Sequence, residues 1–336
     1  MTGPMTAKPP SLETGGFFIK AVLDIGTNSV KLLAAKFENG GTGPGMEILA
    51  DVAVVSRLGD SAGNGPLTRE AMRRTVAVMS ELCAEARRLG ADDITAVGTQ
   101  ALRTAPNAGE FISMAEVACG VRVTVISGEE EAELSFAAAS LFARDNPDRE
   151  ILVFDVGGGS SEVVRGRPGS IICSRSVPVG ALSLYKKFFV SDDGTVPYEV
   201  LEEAGRYLNG ALAASLTRDF DFGNLSSCVG IGGTVTTLAA VCAGGAGRQV
   251  GGMTLDTREI DRQIAMYAST DVETRRKIPG LPAERADIIL PGACIVRSLM
   301  SVSGFGEITV CGHGLRHGVM LRALRQFDFG TTDEPP

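Results

Sequence analysis

The chain carries a repeated segment in which a buried strand ends on an aspartate, a short polar turn follows, and a second strand begins. The first copy starts with FIKAVLD at 18–24, and the second starts with ILVFD at 151–155. The aligned cores DIGTNS (24–29) and DVGGGS (155–160) lie 131 residues apart, which is too long a period for a solenoid unit. The repeat therefore predicts two copies of one domain, each opening with a strand–turn–strand hairpin. The alternative is two unrelated hairpins, since Asp-x-Gly is common in turns.

Strands and helices alternate after each hairpin. Apolar residues recur at three- and four-residue steps over 69–89, and Thr68 precedes them as an N-cap, which predicts a helix there. Similar patterns predict strands at 94–99, 121–126, 226–231 and 308–312. They also predict helices at 107–119, 129–143, 197–216, 256–268 and 285–301, a helix that begins at Thr234, and a last helix that ends near residue 326. This order predicts an α/β fold with mixed sheets.

A length of 336 residues predicts two domains of ordinary size. The polar stretch ARDNPDRE at 143–150 is the natural joint between them. We expect an N-terminal domain over 17–140 and a C-terminal domain over 141–328, with a flexible leader at 1–16 and a tail at 329–336.

Composition argues against several classes of protein. A net charge of −8 disfavours a DNA or RNA duplex bound through a general basic surface. No apolar run approaches the roughly 18 residues of a membrane span, and the N-terminus lacks the apolar core of a signal peptide. Seven cysteines without a CxxC pair are typical of buried thiols in a reducing cytoplasm, and two histidines argue against a His-rich metal centre.

Glycine-rich turns at strand ends indicate the chemistry. The chain has 42 glycines where about 24 would be average. A glycine turn exposes successive backbone N–H groups that a phosphate can approach closely. Besides the two repeat turns, GIGGT at 230–234, with Thr234 as a helix cap, and CGHGLRHG at 311–318 have the same form. Four such loops predict a phosphate-rich ligand between the two domains.

Charged side chains beside these turns are the candidates for catalysis. Asp24 and Asp155 end their strands there and could hold a divalent cation on phosphates. The segment ISGEEEAEL at 126–134 places four glutamates at the start of a helix. Either their charges are there because the helix dipole stabilises them, or one of them is a general base for water. Arg103 is either a fork for phosphate oxygens or a solvated surface residue. The same two interpretations apply to Arg57 and Lys31.

Several motifs together resemble the Ppx/GppA family of exopolyphosphatases and guanosine pentaphosphate phosphohydrolases. They run in family order from about residue 18 to 326: DIGTNSVKLL, TQALRTAPN, ISGEEEAEL, DVGGGSSEVV, VPVGALSL, GIGGTVTTLA and HGLRHGVML. The combination of ISGxEEA with DxGGGSxE is the most specific part. The family belongs to the superfamily of actin, sugar kinases and Hsp70 ATPases. The chain resembles the short form without the HD-type C-terminal domain, so we transfer neither a long polyphosphate channel nor high processivity. We also transfer nothing to RQVGGMTL at 248–255, where the family often has a histidine.

The resemblance implies two ribonuclease-H-like domains with mixed sheets and an active site in the cleft between them. Glu131 would activate water, with Glu130 as the adjacent alternative, and Arg103 would neutralise charge on the substrate. Asp24, Asp155 and Glu162 would hold Mg²⁺ or Mn²⁺, with K⁺ as a further candidate ion. The implied phosphate-binding residues are Gly26, Thr27, Asn28, Ser29, Gly157, Gly158, Gly159, Ser160, Ser161, Gly232, Gly233 and Thr234.

The predicted activity is removal of terminal orthophosphate from inorganic polyphosphate, with short chains favoured, or of the 5′-phosphate of guanosine pentaphosphate. An ATP-dependent small-molecule kinase of the same superfamily is the alternative enzyme. It would need an aspartate base for a sugar hydroxyl, and Glu131 argues against it. A nucleotide-responsive regulator that binds without turnover is a third possibility. We expect a homodimer for a chain of this size.

Overall fold

The computed structural model describes residues 17–38, 46–60, 65–91, 93–141, 149–190, 195–216, 220–223, 225–245 and 249–324. The predicted leader, the predicted tail and most of the polar joint at 143–150 lie outside these ranges. The exact domain boundaries therefore stay predictions.

The first half of the described chain builds one mixed sheet with helices around it. Its elements are β1 (Phe17–Ile25), β2 (Ser29–Glu38), β3 (Met46–Val55), α1 (Arg69–Arg88), β4 (Asp93–Gly98), α2 (Gln100–Thr104), α3 (Ala108–Cys119), β5 (Val123–Val125) and α4 (Gly128–Ser140). The strand order is β3-β2-β1-β4-β5. The first three strands are antiparallel, and β4 and β5 continue parallel to β1.

The second half repeats this arrangement and adds one edge strand. Its elements are β6 (Ile151–Val156), β7 (Ser161–Arg167), β8 (Ser170–Val177), α5 (Ala181–Leu184), α6 (Tyr198–Ser215), β9 (Ser227–Ile231), α7 (Gly232–Cys242), β10 (Thr254–Asp256), α8 (Thr257–Ala268), α9 (Val272–Arg275), α10 (Ile289–Ser303), β11 (Glu307–Val310) and α11 (Leu315–Ala323). The strand order is β10-β11-β9-β6-β7-β8. Apart from β10, it matches the first sheet strand for strand, with three antiparallel strands followed by two strands parallel to β6. The structure thus confirms the predicted duplication and the two mixed-sheet α/β domains.

The local sequence signals explain most element ends. The hydroxyl of Thr68 accepts a hydrogen bond from the backbone N–H of Ala71 at 3.1 Å, as expected of an N-cap. Thr234 behaves differently, and its predicted capping role is wrong. Helix α7 already begins at Gly232, and the Thr234 hydroxyl donates to the carbonyl of Val156. Helix α10 begins at Ile289 and not at 285, because a separate 3₁₀ turn, Ala283–Arg285, precedes it.

Helices α4 and α11 pack between the two sheets. Leu134 of α4 belongs to a buried cluster that includes Val22 of the first sheet and Met320 of α11. Phe136, also on α4, packs with Val229 of the second sheet. The last described helix of the chain therefore covers the first sheet. Helices α4 and α11 together form the packing interface between the two lobes. In the part of the chain that the structure describes, no helix is both long and apolar enough to cross a bilayer.

The crossing of these two helices depends on Gly318. A Cβ atom on this residue would lie 1.9 Å from the carbonyl oxygen of Leu134, so the backbones must separate to admit it. We predict that Gly318→Ala lowers the free energy of unfolding by about 1–3 kcal/mol, measured by urea denaturation. The matched control is Gly210→Ala in α6, where a Cβ meets no atom within 4 Å. Its better helix propensity should raise the stability by about 0.5–1 kcal/mol. Equal effects of the two substitutions would contradict this account of the crossing.

Candidate active site

The two repeat turns form equivalent loops that meet across the cleft. In the first loop the backbone N–H of Gly26 donates to the carbonyl of Ser29 at 2.9 Å, and in the second Gly157 donates to Ser160 at 3.0 Å. The loops approach so closely that a Cβ on Gly158 would lie 3.2 Å from the backbone nitrogen of Asn28. A bulkier residue in the second loop would push the two lobes apart.

A cavity of about 60 Å³ lies between the loops, at the carboxyl ends of β1 and β6. Most of the residues predicted from sequence line it: Asp24, Gly26, Thr27, Asn28, Ser29, Glu131, Asp155, Gly157, Gly158, Gly159, Ser160, Glu162, Gly233 and Thr234. The duplication explains this convergence, because equivalent strand ends of the two sheets face each other.

Four predicted residues do not line this cavity. The Ser161 hydroxyl donates to the carbonyl of Val179 at 2.7 Å inside the second lobe. Gly232, at a φ of +88°, borders a neighbouring cavity. Glu130 forms an ion pair with Arg322 at the edge where α4 meets α11. Arg103 stands behind the cavity wall and contacts Glu131.

The two copies of the hairpin place different charges at the same register position. Asp24 faces Lys31 across the first hairpin, and their side chains form an ion pair at 3.0 Å. Asp155 faces Glu162 at the corresponding position of the second hairpin. Burial and then the Asp155 charge raise the pKa of Glu162 from its usual value near 4.5 to about 7, although the Ser160 and Ser176 hydroxyls donate to it at 2.8 Å. Burial likewise raises the pKa of Asp155. The second hairpin thus concentrates negative charge that the first one neutralises.

Glu131 reaches the cavity from the first turn of α4. Ser127 caps this helix by accepting from the N–H of Glu130 at 3.0 Å. The Arg103 guanidinium donates to the Glu131 carboxylate at 3.1 Å and to the carbonyl of Ile126 at 2.9 Å, which fixes the carboxylate in place. Burial raises the pKa of Glu131 well above its usual range, the Glu162 carboxylate raises it further, and Arg103 lowers it. A carboxylate with a raised pKa at a cavity has the properties of a general base.

Arg285 also lines the cavity, although no sequence motif indicates a role for it. It lies at the end of the 3₁₀ turn Ala283–Arg285, and its guanidinium covers Gly233, where a Cβ would lie 2.3 Å from Nη1. In the described ranges this guanidinium makes no hydrogen bond or ion pair. A half-buried fork of N–H donors without a hydrogen-bond partner is suited to a phosphate group. The segment PAERADI around it matches no motif, so its role depends on tertiary position alone.

The acidic residues provide part of a divalent-cation site. No group of three or more His, Cys, Asp or Glu able to hold a metal occurs among the residues that the structure covers. Mg²⁺ commonly needs only one or two carboxylates together with substrate phosphates. Asp155 and Glu162 face each other at the cavity with raised pKa values, and this donor set fits a cation that arrives with a phosphate ligand.

Two further cavities adjoin the central one. A cavity of about 390 Å³ shares Thr27, Gln100 and Gly159 with it, and Leu182 and Tyr207 are among its apolar and aromatic lining. On the other side, a cavity of about 200 Å³ is lined by Lys31, Arg285 and Arg316, together with the first turn of α7 and the loop before α11. The first cavity also includes Lys186 and Lys187 in its lining, so the two loops lie between a mixed apolar and basic cavity and a basic one.

Comparisons with known proteins agree with this architecture. The model of the Ppx/GppA phosphatase family matches residues 35–327. The chain is 27% identical over 315 residues to exopolyphosphatase 1 of Mycobacterium tuberculosis, covering 92% of this chain and 89% of that protein. It is 29% identical to the guanosine-5′-triphosphate,3′-diphosphate pyrophosphatase of Vibrio cholerae, over 92% of this chain and 60% of that protein. The crystal structure of the Aquifex aeolicus Ppx/GppA family member superposes with a TM-score of 0.74 at 26% identity, covering 93% of this chain and 99% of that one.

The buried charge of Glu162 should destabilise the metal-free protein. Its pKa is raised on folding, so the unfolded chain ionises more readily and stability is lost as pH rises from about 4.5 through 7. Glu162→Gln keeps an acceptor for both serine hydroxyls and removes the charge. We predict that it raises the free energy of unfolding in EDTA by roughly 2–3 kcal/mol at pH 8. The gain should vanish near pH 4, where the wild-type carboxyl is neutral in both states. A gain that is equal at both pH values would contradict the electrostatic cause.

Proposed function

The chain belongs to the Ppx/GppA phosphatase family, and from this membership we propose that it hydrolyses terminal phosphoanhydride bonds and releases orthophosphate. The observation that carries the proposal is Glu131, a partly buried carboxylate held by Arg103 at the cavity between two glycine loops. We propose inorganic polyphosphate of short length as the substrate, and guanosine pentaphosphate as the second candidate.

In this proposal the two loops hold the terminal phosphoryl group. Backbone N–H groups of both loops and the side-chain N–H₂ of Asn28 would donate to its oxygens. The Thr27 and Ser160 hydroxyls lie at the same cavity, where they donate to Gln100 and Glu162. The buried side-chain oxygen of Asn28 also lies at the cavity and has no hydrogen-bond partner within the described chain, so as an acceptor it suits a water or a cation and not a phosphate oxygen. Arg285 contributes a fork of donors from the side of α7. Fixed donors around the phosphoryl oxygens stabilise the charge that develops as the bond to the leaving phosphate breaks.

Glu131 is proposed as the base that orients the attacking water in line with the phosphorus. Its raised pKa makes it a stronger proton acceptor than an exposed glutamate, while Arg103 partly opposes that rise and orients the carboxylate. The proton leaves the water as its oxygen bonds to phosphorus, and the shortened chain departs with the electrons of the broken P–O bond. A Mg²⁺ or Mn²⁺ ion held by Asp155 with Glu162 or Asp24 would supply positive charge to the phosphate oxygens.

The kinase alternative is less well supported by the same geometry. A glutamate fixed by an arginine faces the phosphate loops, and the cavity between them is small. A regulator without turnover would not require a carboxylate whose pKa is raised. The homodimer and the cytoplasmic location both stay predictions, and light scattering of the purified protein tests the first.

The base assignment is tested by two neighbouring substitutions. We predict that Glu131→Gln lowers kcat for release of phosphate from tripolyphosphate with Mg²⁺ by a factor of about 10²–10⁴, because the water loses its proton acceptor. Glu130→Gln should leave kcat within a few-fold of wild type, since Glu130 pairs with Arg322 away from the cavity. A phosphate-release assay measures both. Loss of activity in Glu130→Gln alone would show that the base is misassigned, and no hydrolysis by wild type would favour the regulator.

One observation favours guanosine pentaphosphate as the second candidate. The neighbouring cavity of about 390 Å³ is lined by Leu182 and Tyr207, which suit a nucleoside, and by Lys186 and Lys187, which suit the phosphates that a nucleotide carries. We predict that Tyr207→Leu lowers kcat/KM for guanosine pentaphosphate about tenfold and leaves tripolyphosphate hydrolysis unchanged, because base stacking is lost. The control is Tyr198→Leu, which alters an exposed tyrosine on the same helix. Equal losses for both substrates would exclude this cavity as the nucleoside site.

A further inference from the structure

The segment SRLGD at 56–60 lies beside the phosphate loops and contains an unusual backbone. Arg57 has a φ of +51°, and within the described ranges every other residue with φ in the left-handed region is a glycine. A side chain larger than asparagine rarely adopts this conformation, and holding one there costs about 1–3 kcal/mol. Such strain persists only where the surroundings fix the residue.

The backbone of this segment is attached to the first phosphate loop. The N–H groups of Ser56 and Arg57 both donate to the carbonyl of Asn28, at 3.0 and 2.9 Å, and the N–H of Gly59 donates to the carbonyl of Thr27 at 2.9 Å. Arg74 of α1 supports the segment from behind, because its guanidinium donates to the carbonyl of Ser56 at 2.6 Å. Three backbone hydrogen bonds therefore tie the segment to the first loop.

The side chain of Arg57 extends across the cleft to the second lobe. Its Nη2 atom lies 2.7 Å from the Asp287 carboxylate and donates to the carbonyl of Glu284 at 3.2 Å. These two partners flank Arg285 in the chain. A second bridge crosses in the opposite direction, since Lys186 of the second lobe donates to the carbonyl of Gly59.

The Arg57 contacts fix the residues on either side of the unpartnered cavity arginine. The Asp287 side chain is only 13% exposed and that of Arg57 is 29% exposed, so the pair is partly shielded from water and salt. An ion pair in such a place orients groups more firmly than an exposed one does. The left-handed backbone at Arg57 directs this side chain while the N–H remains bonded to Asn28.

We propose that Arg57 is a positioning residue, which couples the first phosphate loop to Arg285 so that both contact the same phosphoryl group. The expected effect on kcat/KM rests on the proposed function. The expected effect on the turn that carries Arg285 rests on the hydrogen bonds alone. Without the link, the turn that carries Arg285 would be free to withdraw from the loop, and the phosphoryl group would lose donors from one side.

The first experiment needs no substrate. Hydrogen exchange of the backbone amides over 283–288 is compared in wild type, Arg57→Asn and Arg297→Asn. Asparagine tolerates a positive φ, so Arg57→Asn removes the link without adding backbone strain. Arg297→Asn breaks an ion pair with Asp261 that joins α8 and α10 inside the second lobe. We expect exchange over 283–288 to accelerate at least fivefold in Arg57→Asn alone. Unchanged exchange would overturn the proposal.

The second experiment measures coupling to Arg285. We expect Arg57→Asn and Arg285→Ala each to lower kcat/KM for tripolyphosphate about tenfold or more. In the double variant, Arg57→Asn should add less than twofold, because the residue that it positions is already gone. A purely structural ion pair would instead give multiplied losses, and that result would overturn the proposal. Asp287→Asn cuts the same link from the other side, and it replaces Arg57→Asn if that protein fails to fold.

The two experiments separate this proposal from the proposed function. If wild type releases no phosphate from any anhydride while exchange responds as expected, the proposed function fails and the structural link stands. If wild type is active but Arg57→Asn changes neither exchange nor kcat/KM, the proposed function stands and the positioning role is wrong.

Discussion

The architecture of the site depends on burying several carboxylates at one place. Asp24 and Asp155 end the central strands of the two sheets, and Glu131 and Glu162 come beside them. Carboxylates so close together in a low-dielectric cleft repel one another unless cations offset their charge. Lys31 does this for Asp24, and Arg103 does it for Glu131. Within the described ranges neither Asp155 nor Glu162 forms an ion pair, although Lys31 and Arg316 lower the pKa of Asp155 from a distance. This end of the cleft therefore suits a cation that accompanies a phosphate ligand.

Duplication explains how this chain builds such a site and why its halves differ. The same hairpin supplies both loops, and the glycines of the second loop allow it to approach the first. At one register position the copies diverged to Lys31 and Glu162. One loop is therefore charge-neutral and suited to holding an anion, while the other is acidic and suited to a cation. Helices α4 and α11, shared between the lobes, hold the two loops at this distance.

Much of this could be predicted from the sequence, because the informative features were local. The strand–Asp–Gly turns, the capping Thr68 and the alternation of strands and helices depend on neighbouring residues, and the structure confirms them. The edge strands β3 and β8 were not predicted. Both have irregular burial and a bulge in their pairing, which weakens the apolar alternation.

What the sequence could not provide were contacts between distant segments. Arg285 follows an unremarkable turn and becomes a cavity residue only because α7 starts beneath it. Arg57 and Lys31 were ambiguous as isolated cations, since nothing local distinguishes a solvated arginine from one that bridges a cleft. The choice between Glu130 and Glu131 also needed the helix orientation, which turns one towards Arg322 and the other towards Arg103.

We propose that a water held by Glu131 attacks the terminal phosphorus of a phosphate chain between the two loops. The most direct test is a single turnover of tripolyphosphate and Mg²⁺ in ¹⁸O-labelled water, with the products analysed by mass spectrometry. We expect one ¹⁸O atom in the released orthophosphate and none in the remaining diphosphate. Label in the diphosphate would place the attack on the wrong phosphorus, and would contradict the geometry described for this cleft.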